Sequence, residues 1–461
     1  MKFFAQIRIK LFLVALFMFC FAPLISQHNP NSVYSRFGLG LLDNPGNVTH
    51  FGMGGITAPT SDPITLNLSN PASYSFLEAT NLQTTIKGIS TQASTNNQTS
   101  NYLNGQIHEL SMGFKKPNTK WALAFGLTPY SFVDYRFTAK DTLSDTLTTS
   151  YTYTGRGGIN KATFGFSRLF RFGNSGNDST QSRLHQLSLG INANYLFGNI
   201  TRENVAAFSQ TEHYTTVENH NLWVKGIAWE AGIQYKLNLT TRRDPQNRII
   251  GGSALQLGCT YSLNTNISAE YSELLYSIRI ASNTAFRDTA RFLDALNGRL
   301  VIPQRIQAGL AYKLFNKKWG SFQLAAEYKM QDWSKYRLEM TEEVNLDEGL
   351  SASSGWAAGI EYKPTTDVNN NLFNRLYYRV GYRSYQSELT IGTTQITQKA
   401  TTAGITIPVI RSQSKIHLGA EWGVRGTREE NLVEEKFIGF MIGFSLSPSS
   451  FDRWFRQVKY D

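Results

Sequence analysis

Alternation with a period of two, sustained through the C-terminal half, constrains this chain more than any other feature. From Ile416 to Arg425, the residues Ile416, Leu418, Ala420, Trp422 and Val424 share one face, and His417, Gly419, Glu421, Gly423 and Arg425 share the other. A helix would mix these two sets, whereas a strand separates them. The code returns in 434–447 and, upstream, in 184–201, 212–238, 251–270, 297–315 and 319–339. Further strands are expected at 81–94, 105–115, 121–138, 147–170, 351–364, 375–388, 396–408 and 415–426, giving about fourteen, an even count that suits a bacterial barrel.

Aromatic content says where such strands go. With 29 Phe, 22 Tyr, 8 Trp and 37 Gly, the chain is rich in lipid-compatible side chains, yet no apolar run beyond its start could span a bilayer as a helix. Strands that face lipid and lumen by turns resolve this, so the expected fold is an all-β transmembrane barrel over residues 81–447. At the start, Lys2, Arg8 and Lys10 precede an apolar run from Leu11 to Ile25, which at about 15 residues falls short of the roughly 20 that a spanning helix needs. Residues 1–26 are therefore expected to be a signal peptide, with a membrane anchor as the competing reading. Of the two cysteines, Cys259 alone follows that segment, and it sits in an outward apolar row, so neither an internal disulfide nor a nucleophile is expected.

Residues 27–80 resist the strand code. They are rich in Gly, Pro, Ser and Asn but carry Phe37, Leu39, Leu41, Phe51, Met53, Ile64 and Leu66, too apolar a set for an idle linker. A plug packed in the lumen is expected, with a periplasmic tail as the alternative. Gly52-Met53-Gly54-Gly55 after Phe51, followed by Asn70-Pro71-Ala72 after Ser69, resembles the N-terminal hatch of the FadL-type outer-membrane long-chain fatty acid transporters. Ile302-Pro303-Gln304-Arg305-Ile306, Asp332-Trp333-Ser334-Lys335-Tyr336 and Tyr378-Arg379-Val380-Gly381-Tyr382 extend the resemblance over nearly the whole chain.

The resemblance implies passive uptake of hydrophobic molecules past a movable hatch, with a lateral opening at a kinked third strand. Pro129, next to Tyr130, interrupts the third expected strand and cannot complete its ladder, so it is the candidate for that gate, with a purely structural bulge as the alternative. Arg379 and Arg383 on inner rows are candidates for holding a ligand carboxylate, set against the simpler expectation that lumen charges pair with one another. The second function class is an accessory barrel in an outer-membrane secretion or assembly complex, for which Trp454 and Phe455 in the periplasmic tail 448–461 are candidate partner contacts.

Both barrel ends are expected on the periplasmic side. Short turns such as 117–120 and 316–318 then face inward, and 202–211, 273–297 and 339–350 become outside loops. Two inward turns, 173–183 and 240–248, are longer than usual and are potential partner contacts. The net charge of +11 is spread without runs, which suits a lipopolysaccharide-facing surface, lipid contact and a monomeric barrel rather than nucleic acid. Seven scattered His and no nucleophile elbow, Walker loop or His-Glu-x-x-His pattern leave no enzyme, metal or cofactor expectation.

Overall fold

A computed structural model describes residues 32–43, 46–116, 118–144, 147–172, 185–209, 213–244, 249–281, 284–341, 349–365, 367, 370–409 and 413–447. The signal peptide with its competing anchor, the loop 173–183, and Trp454 and Phe455 in the tail lie outside these residues.

The wall begins with β2 (Asn81–Ser94), β3 (Thr99–Phe114), β4 (Trp121–Ser144), β5 (Leu147–Phe172), β6 (His185–Phe208) and β7 (Thr215–Arg243), after a two-residue strand β1 (Leu41–Leu42) that belongs to the N-terminal segment. It continues as β8 (Ile249–Ser262) with β9 (Thr265–Ala281), β10 (Thr284–Ile302) with β11 (Arg305–Asn316), and β12 (Gly320–Asp332) with β13 (Arg337–Met340). Each of these three pairs is one crossing with a break in it, since β8 and β9 both pair with β7, and β11 and β10 pair with β8 and β9 in turn. Then follow β14 (Ala352–Lys363), β15 (Tyr377–Ile391), β16 (Thr394–Pro408), β17 (Lys415–Arg425) and β18 (Glu434–Leu446), which pairs back onto β2. The result is a closed antiparallel barrel of fourteen crossings.

Alternation sets the outer face. Trp121, Trp319 and Tyr362 stand exposed near the end that carries both barrel termini, and Trp229, Tyr328, Trp356 and Trp422 stand exposed further along, with Ile360, Leu324, Phe440 and Ile442 between them. Aromatic rows bordering an apolar band are what a membrane interface selects. Far from the terminal end the crossings differ in height: β5 and β7 run for 26 and 29 residues and β17 for 11. About 10 residues suffice to cross when tilted, so β5 and β7 project well beyond the bilayer.

Two expected loops are strands. Residues 273–281 and 284–297 belong to the paired strands β9 and β10, with Arg287 over the Tyr276 ring at 3.9 Å, and β6 runs on to Phe208 through most of 202–211. Most side chains of these extensions are exposed or half-exposed on both faces, so selection for alternation is weak, and the period-two signal fades although the ladder continues. Both breaks flanking Arg305 and Trp333 coincide with motif fragments noted in the sequence: Pro303 ends β10, and Trp333, 1% exposed, tucks inward from a 3-10 turn.

Candidate functional site: a forked wall bridged by the N-terminal segment

Inward-facing wall glycines leave the space that the N-terminal segment occupies. A methyl added at Gly190 or Gly232 would strike Pro71 or Asn70, at Gly258 or Gly309 Ala58 or Pro59, at Gly359 or Gly381 Met53 and Gly54, at Gly404 Gly52, at Gly419 Phe51, at Gly443 Val48, and at Gly126 Leu68. Contacts with strands right round the wall place this segment inside the barrel. Gly54 and Gly55 adopt φ of 76° and 86°, a region that side chains disfavour, and Gly54 N–H donates to Thr402 Oγ1 at 2.9 Å. Asn70 caps a 3-10 turn, its Oδ1 accepting from Ala72 N at 3.0 Å while its Nδ2 donates to Ala58 O at 2.7 Å; Pro71 opens the turn with its φ already set. The carbonyl of Ala72 accepts from Ser188 Oγ at 2.6 Å. Met53 packs with Ile56, Ala311 and Ala325.

Charge anchors the same segment. Glu327 Oε2 accepts from the N–H groups of Thr57 at 2.7 Å and Ala58 at 2.6 Å, and Lys415 holds Asp62 at 3.0 Å. The Asp62 carboxyl is opposed by burial but held well below the usual carboxylate range, chiefly by Lys415. Buried His50 is pushed down to about 3 by burial and by Arg379, with Asp62 acting the other way.

The wall itself is incomplete at one seam. β3 and β4 pair over five positions, from Phe114↔Leu123 to Leu110↔Leu127, and then part. Pro129 lies two residues beyond the last pair, and the β4–β5 register slips between Pro129 and Ser131, leaving Tyr130 as an extra residue. A residue without an N–H followed by a bulge turns the strand away from its neighbour. β3 carries its own bulge: Thr85 pairs with Glu109 and Ile86 with Ile107, so His108 is the inserted residue and points inward, 3% exposed. Past the fork, the described contact from β3 to β4 runs between side chains, Asn104 Nδ2 to Asp134 Oδ2 at 3.1 Å.

Here the N-terminal segment takes the place of the missing partner. β1 pairs antiparallel with β4, Leu41 with Phe132 and Leu42 with Ser131; Asp43 N donates to Tyr130 O at 3.0 Å and Ser32 N to Asp134 O at 3.2 Å. Asp43 also reaches the other bank, with Lys87 Nζ at 2.9 Å on β2 and His108 Nδ1 at 2.8 Å on β3, while His108 Nε2 meets Gly46 O at 2.9 Å. Burial opposes the charge on Asp43, but His108 and Lys87 more than offset it and hold the carboxyl well below its usual range. A strand added to the open edge of β4, and a carboxylate on the same segment held by the β2–β3 bank, together close the fork. Cavities of about 50 and 60 Å³ remain beside it.

Further along, the lumen changes character. Val133, Tyr135, Ile159, Leu196, Ile200, Leu222, Val224, Ile267 and Leu300 form an inward apolar cluster with Leu39 and Trp333. Above it lies a cavity of about 270 Å³ lined by aliphatic and aromatic side chains together with Arg36, Arg202 and His220.

Both sequence-nominated arginines pair with wall carboxylates, and Arg383 Nη1 is left buried without a hydrogen-bond partner among the described residues. Arg379 Nε lies 2.7 Å from Glu361 Oε2 and its Nη1 donates to Thr406, and Arg383 pairs with Glu421. Arg36, Arg202, Asp43, Lys87 and His108 were not singled out from sequence; each matters through a partner far along the chain, and no local spacing announces that.

A closed fourteen-stranded wall with an exposed apolar band, aromatic borders and an internally packed N-terminal segment defines an outer-membrane β-barrel. The chain belongs to the BamG family, whose model matches residues 8–461. Solved structures of similar fold include two mutant forms of the TodX monoaromatic hydrocarbon channel. The deltaS2S3 form has a TM-score of 0.51 at 14% identity, covering 87% of this chain and 99% of that one; the deltaS2 form has 0.50 at 16%, covering 88% and 99%. A Pseudomonas aeruginosa FadL homologue aligns at a TM-score of 0.49 and 11% identity over 88% of this chain and 98% of its own. At these identities the likeness is one of fold. No curated protein matches the sequence.

Proposed function

We propose that this barrel sits in the outer membrane with its terminal end toward the periplasm and passes hydrophobic small molecules by diffusion. They enter the apolar far half of the lumen and leave sideways through the fork when the N-terminal segment, acting as a hatch, shifts. The observation that carries this reading is the β3–β4 seam, where the wall strands part beside a proline and a bulge and a two-residue strand of the N-terminal segment pairs with the open edge. No energy source is needed, because an apolar solute moves from water through an apolar surface to lipid down its own gradient. Arg36, over the Tyr153 ring at 4.4 Å beside the far cavity, is a cation placed to meet a carboxylate such as that of a fatty acid, as are Arg379 and Arg383 if the ligand displaces their present carboxylate partners.

A second reading rests on a different observation. The spaces at the fork are far smaller than the roughly 300 Å³ at which small-molecule pockets begin, and the segment is pinned by buried charges on several sides, as a permanent plug would be. Such a barrel would serve as an accessory in an outer-membrane assembly or secretion complex, with Trp454 and Phe455 as contacts to an envelope partner.

One experiment separates the two. Pro129→Val, which restores an N–H to the ladder, is expected to reduce uptake of a hydrophobic probe while insertion and abundance stay normal; unchanged uptake would sink the gate. Trp454→Ser with Phe455→Ser is expected to lose a co-purifying envelope protein only if the accessory reading holds.

A further inference from the structure

Almost everywhere in this lumen, charges neutralise one another. Arg379 meets Glu361, Arg383 meets Glu421, Arg425 meets Glu435, Arg305 meets Glu230, Lys415 meets Asp62 and Lys87 meets Asp43. The vestibule at the terminal end breaks this rule. It is a cavity of about 530 Å³, roofed by Ser61, Pro63 and Ser75–Glu78 of the N-terminal segment, and it is lined by Lys115, Lys120, Arg171, Lys236 and Lys313 against Glu78, with Asp62, between Ser61 and Pro63 in the chain, already paired with Lys415 while it also attracts Lys313. Among the described residues, none of these five cations takes part in an ion pair; Lys115 Nζ donates to the carbonyls of Ser75 at 3.0 Å and Trp121 at 3.3 Å instead.

Gathering five like charges round one space is unfavourable unless something of opposite sign enters it. Water and salt screen part of the repulsion, but concave protein walls focus the field toward the centre. We propose that this vestibule receives an acidic peptide segment of a periplasmic partner protein, with several carboxylates carried on an extended chain. The volume lies in the range of sites that engulf a drug-sized ligand, so one inorganic anion would leave most of it empty. Beside the cations stand Asn118, Gln186 and Gln323, whose amides match peptide backbone groups as well as carboxylates. The cations come from the β3–β4 turn, β5, β7 and β11, on different sides of the opening, so they suit charges spread along a chain better than one compact phosphate. The wall separates the space from the bilayer, which keeps lipid headgroups out. Lys115, beyond the end of β3, has its amine pushed down to about 8 by burial and by Arg171, as expected of a cation lacking a counter-charge.

The inference is independent of whether the far lumen carries hydrophobic molecules, and it rests on the orientation proposed above. Full-length protein in nanodiscs is titrated with fluorescent hexaglutamate at about 50 mM salt, with hexaglutamine and inorganic phosphate as comparisons. Hexaglutamate is expected to bind and to weaken about tenfold when salt is raised to about 200 mM, because exposed charges lose most of their reach within a shorter screening length. Lys236→Gln with Lys313→Gln is expected to weaken it at least tenfold, and Lys236→Arg with Lys313→Arg to restore it. Lys335→Gln at the opposite end is expected to change it less than twofold. Equal loss in the Lys335 variant, an unaffected double Gln variant, or displacement by equimolar phosphate would each overturn the proposal; the last would assign the space to a small anion. Maleimide labelling of Asn118→Cys in whole cells tests the orientation separately: labelling from outside would overturn the periplasmic partner even if the peptide binds in vitro.

Discussion

The N-terminal segment meets two very different walls. On the β3–β4 side it stands in for a missing ladder, through backbone hydrogen bonds to β4 and a carboxylate shared by Lys87 and His108. On the β14–β17 side the strands stay paired through the height of the segment, with eleven pairs between β16 and β17 and a register shift in β15 only beyond Gln386, and the segment lies against them backbone to backbone at Gly381 and Gly404. The first contact is directional and few in its parts. The second is mainly close backbone packing spread along the wall, with Gly54 N–H donating to Thr402 and Asp62 pairing with Lys415 within it. If the segment is the hatch proposed above, it should pivot away from the fork while remaining seated on the glycines opposite, because a few hydrogen bonds and one charge cluster can break together, whereas an extended close-packed face has no such local weak point.

Removing both faces is the most drastic way to break the comparison. Deletion of residues 31–79 is expected to leave a barrel that inserts and is heat-modifiable but admits small polar solutes, with liposome swelling on the order of tenfold faster, since a fourteen-stranded wall without filling encloses an aqueous path. Unchanged permeability of the inserted deletion would refute a plugging role.

Breaking only the fork face should come next. Asp43→Asn leaves Lys87 and His108 buried without their counter-charge, a loss of about 3 kcal/mol where a buried pair is broken. The readout is thiol reactivity of Leu42→Cys in a Cys259→Ala background, expected to rise about 100-fold. Arg428→Gln, which breaks a half-exposed pair with Glu434, is the matched control and should shift it by less than about fivefold.

The glycine face is tested by Gly381→Ala. The added methyl overlaps the Gly54 nitrogen and the Met53 carbonyl carbon, so the segment must shift, at about 2 kcal/mol for an overpacked contact. Gly88→Ala, whose methyl would find only Asn104 O at 3.8 Å, should have no effect. If Gly381→Ala increases reactivity at residue 42 as strongly as Asp43→Asn does, the segment moves as one rigid body and the pivot is wrong.

These two faces were unequally legible in the sequence. Alternation placed the crossings because lipid on one side and protein on the other impose a period of two, and the Gly-Met-Gly-Gly and Asn-Pro-Ala pieces marked tight backbone that does lie against the wall glycines. Pro129 marked the fork because a missing N–H is a local property. That Leu41 and Leu42 would complete β4 was not legible: two leucines carry no periodicity, and their partners lie about ninety residues on. Asp43 was equally silent, since its role depends on a bulge that turns His108 inward, and a bulge is a one-residue slip that alternation alone does not locate.

The smallest expected effect is a pH dependence of the glycine face through His50. Its ring is buried on the segment near Arg379, Lys415, His417 and Asp62; burial and Arg379 push its pKa down to about 3, against about 6.5 for a solvated imidazole. The seated ring therefore stays neutral at every pH above about 3, whereas a released segment takes up a proton below about 6.5. The contribution to seating is fully present above about 6.5 and is lost as the pH falls from there through 3. At pH 5.5 the loss is about 1.4 kcal/mol, a tenfold gain in exposure of the thiol of Val48→Cys, a position buried on the glycine face against Gly443, in the same Cys259→Ala background and after correction for thiolate reactivity. Asp43 and Asp62 act in the same direction but at lower pH: their carboxyls are held below the usual range, so they support seating above about 4 and withdraw that support only beneath it. His50→Gln should flatten the profile between pH 6.5 and 4.5 while leaving the steeper acid loss in place. A His50→Gln profile that matches the wild type between those values would remove the imidazole from the account and leave the seating on the glycine face to packing alone.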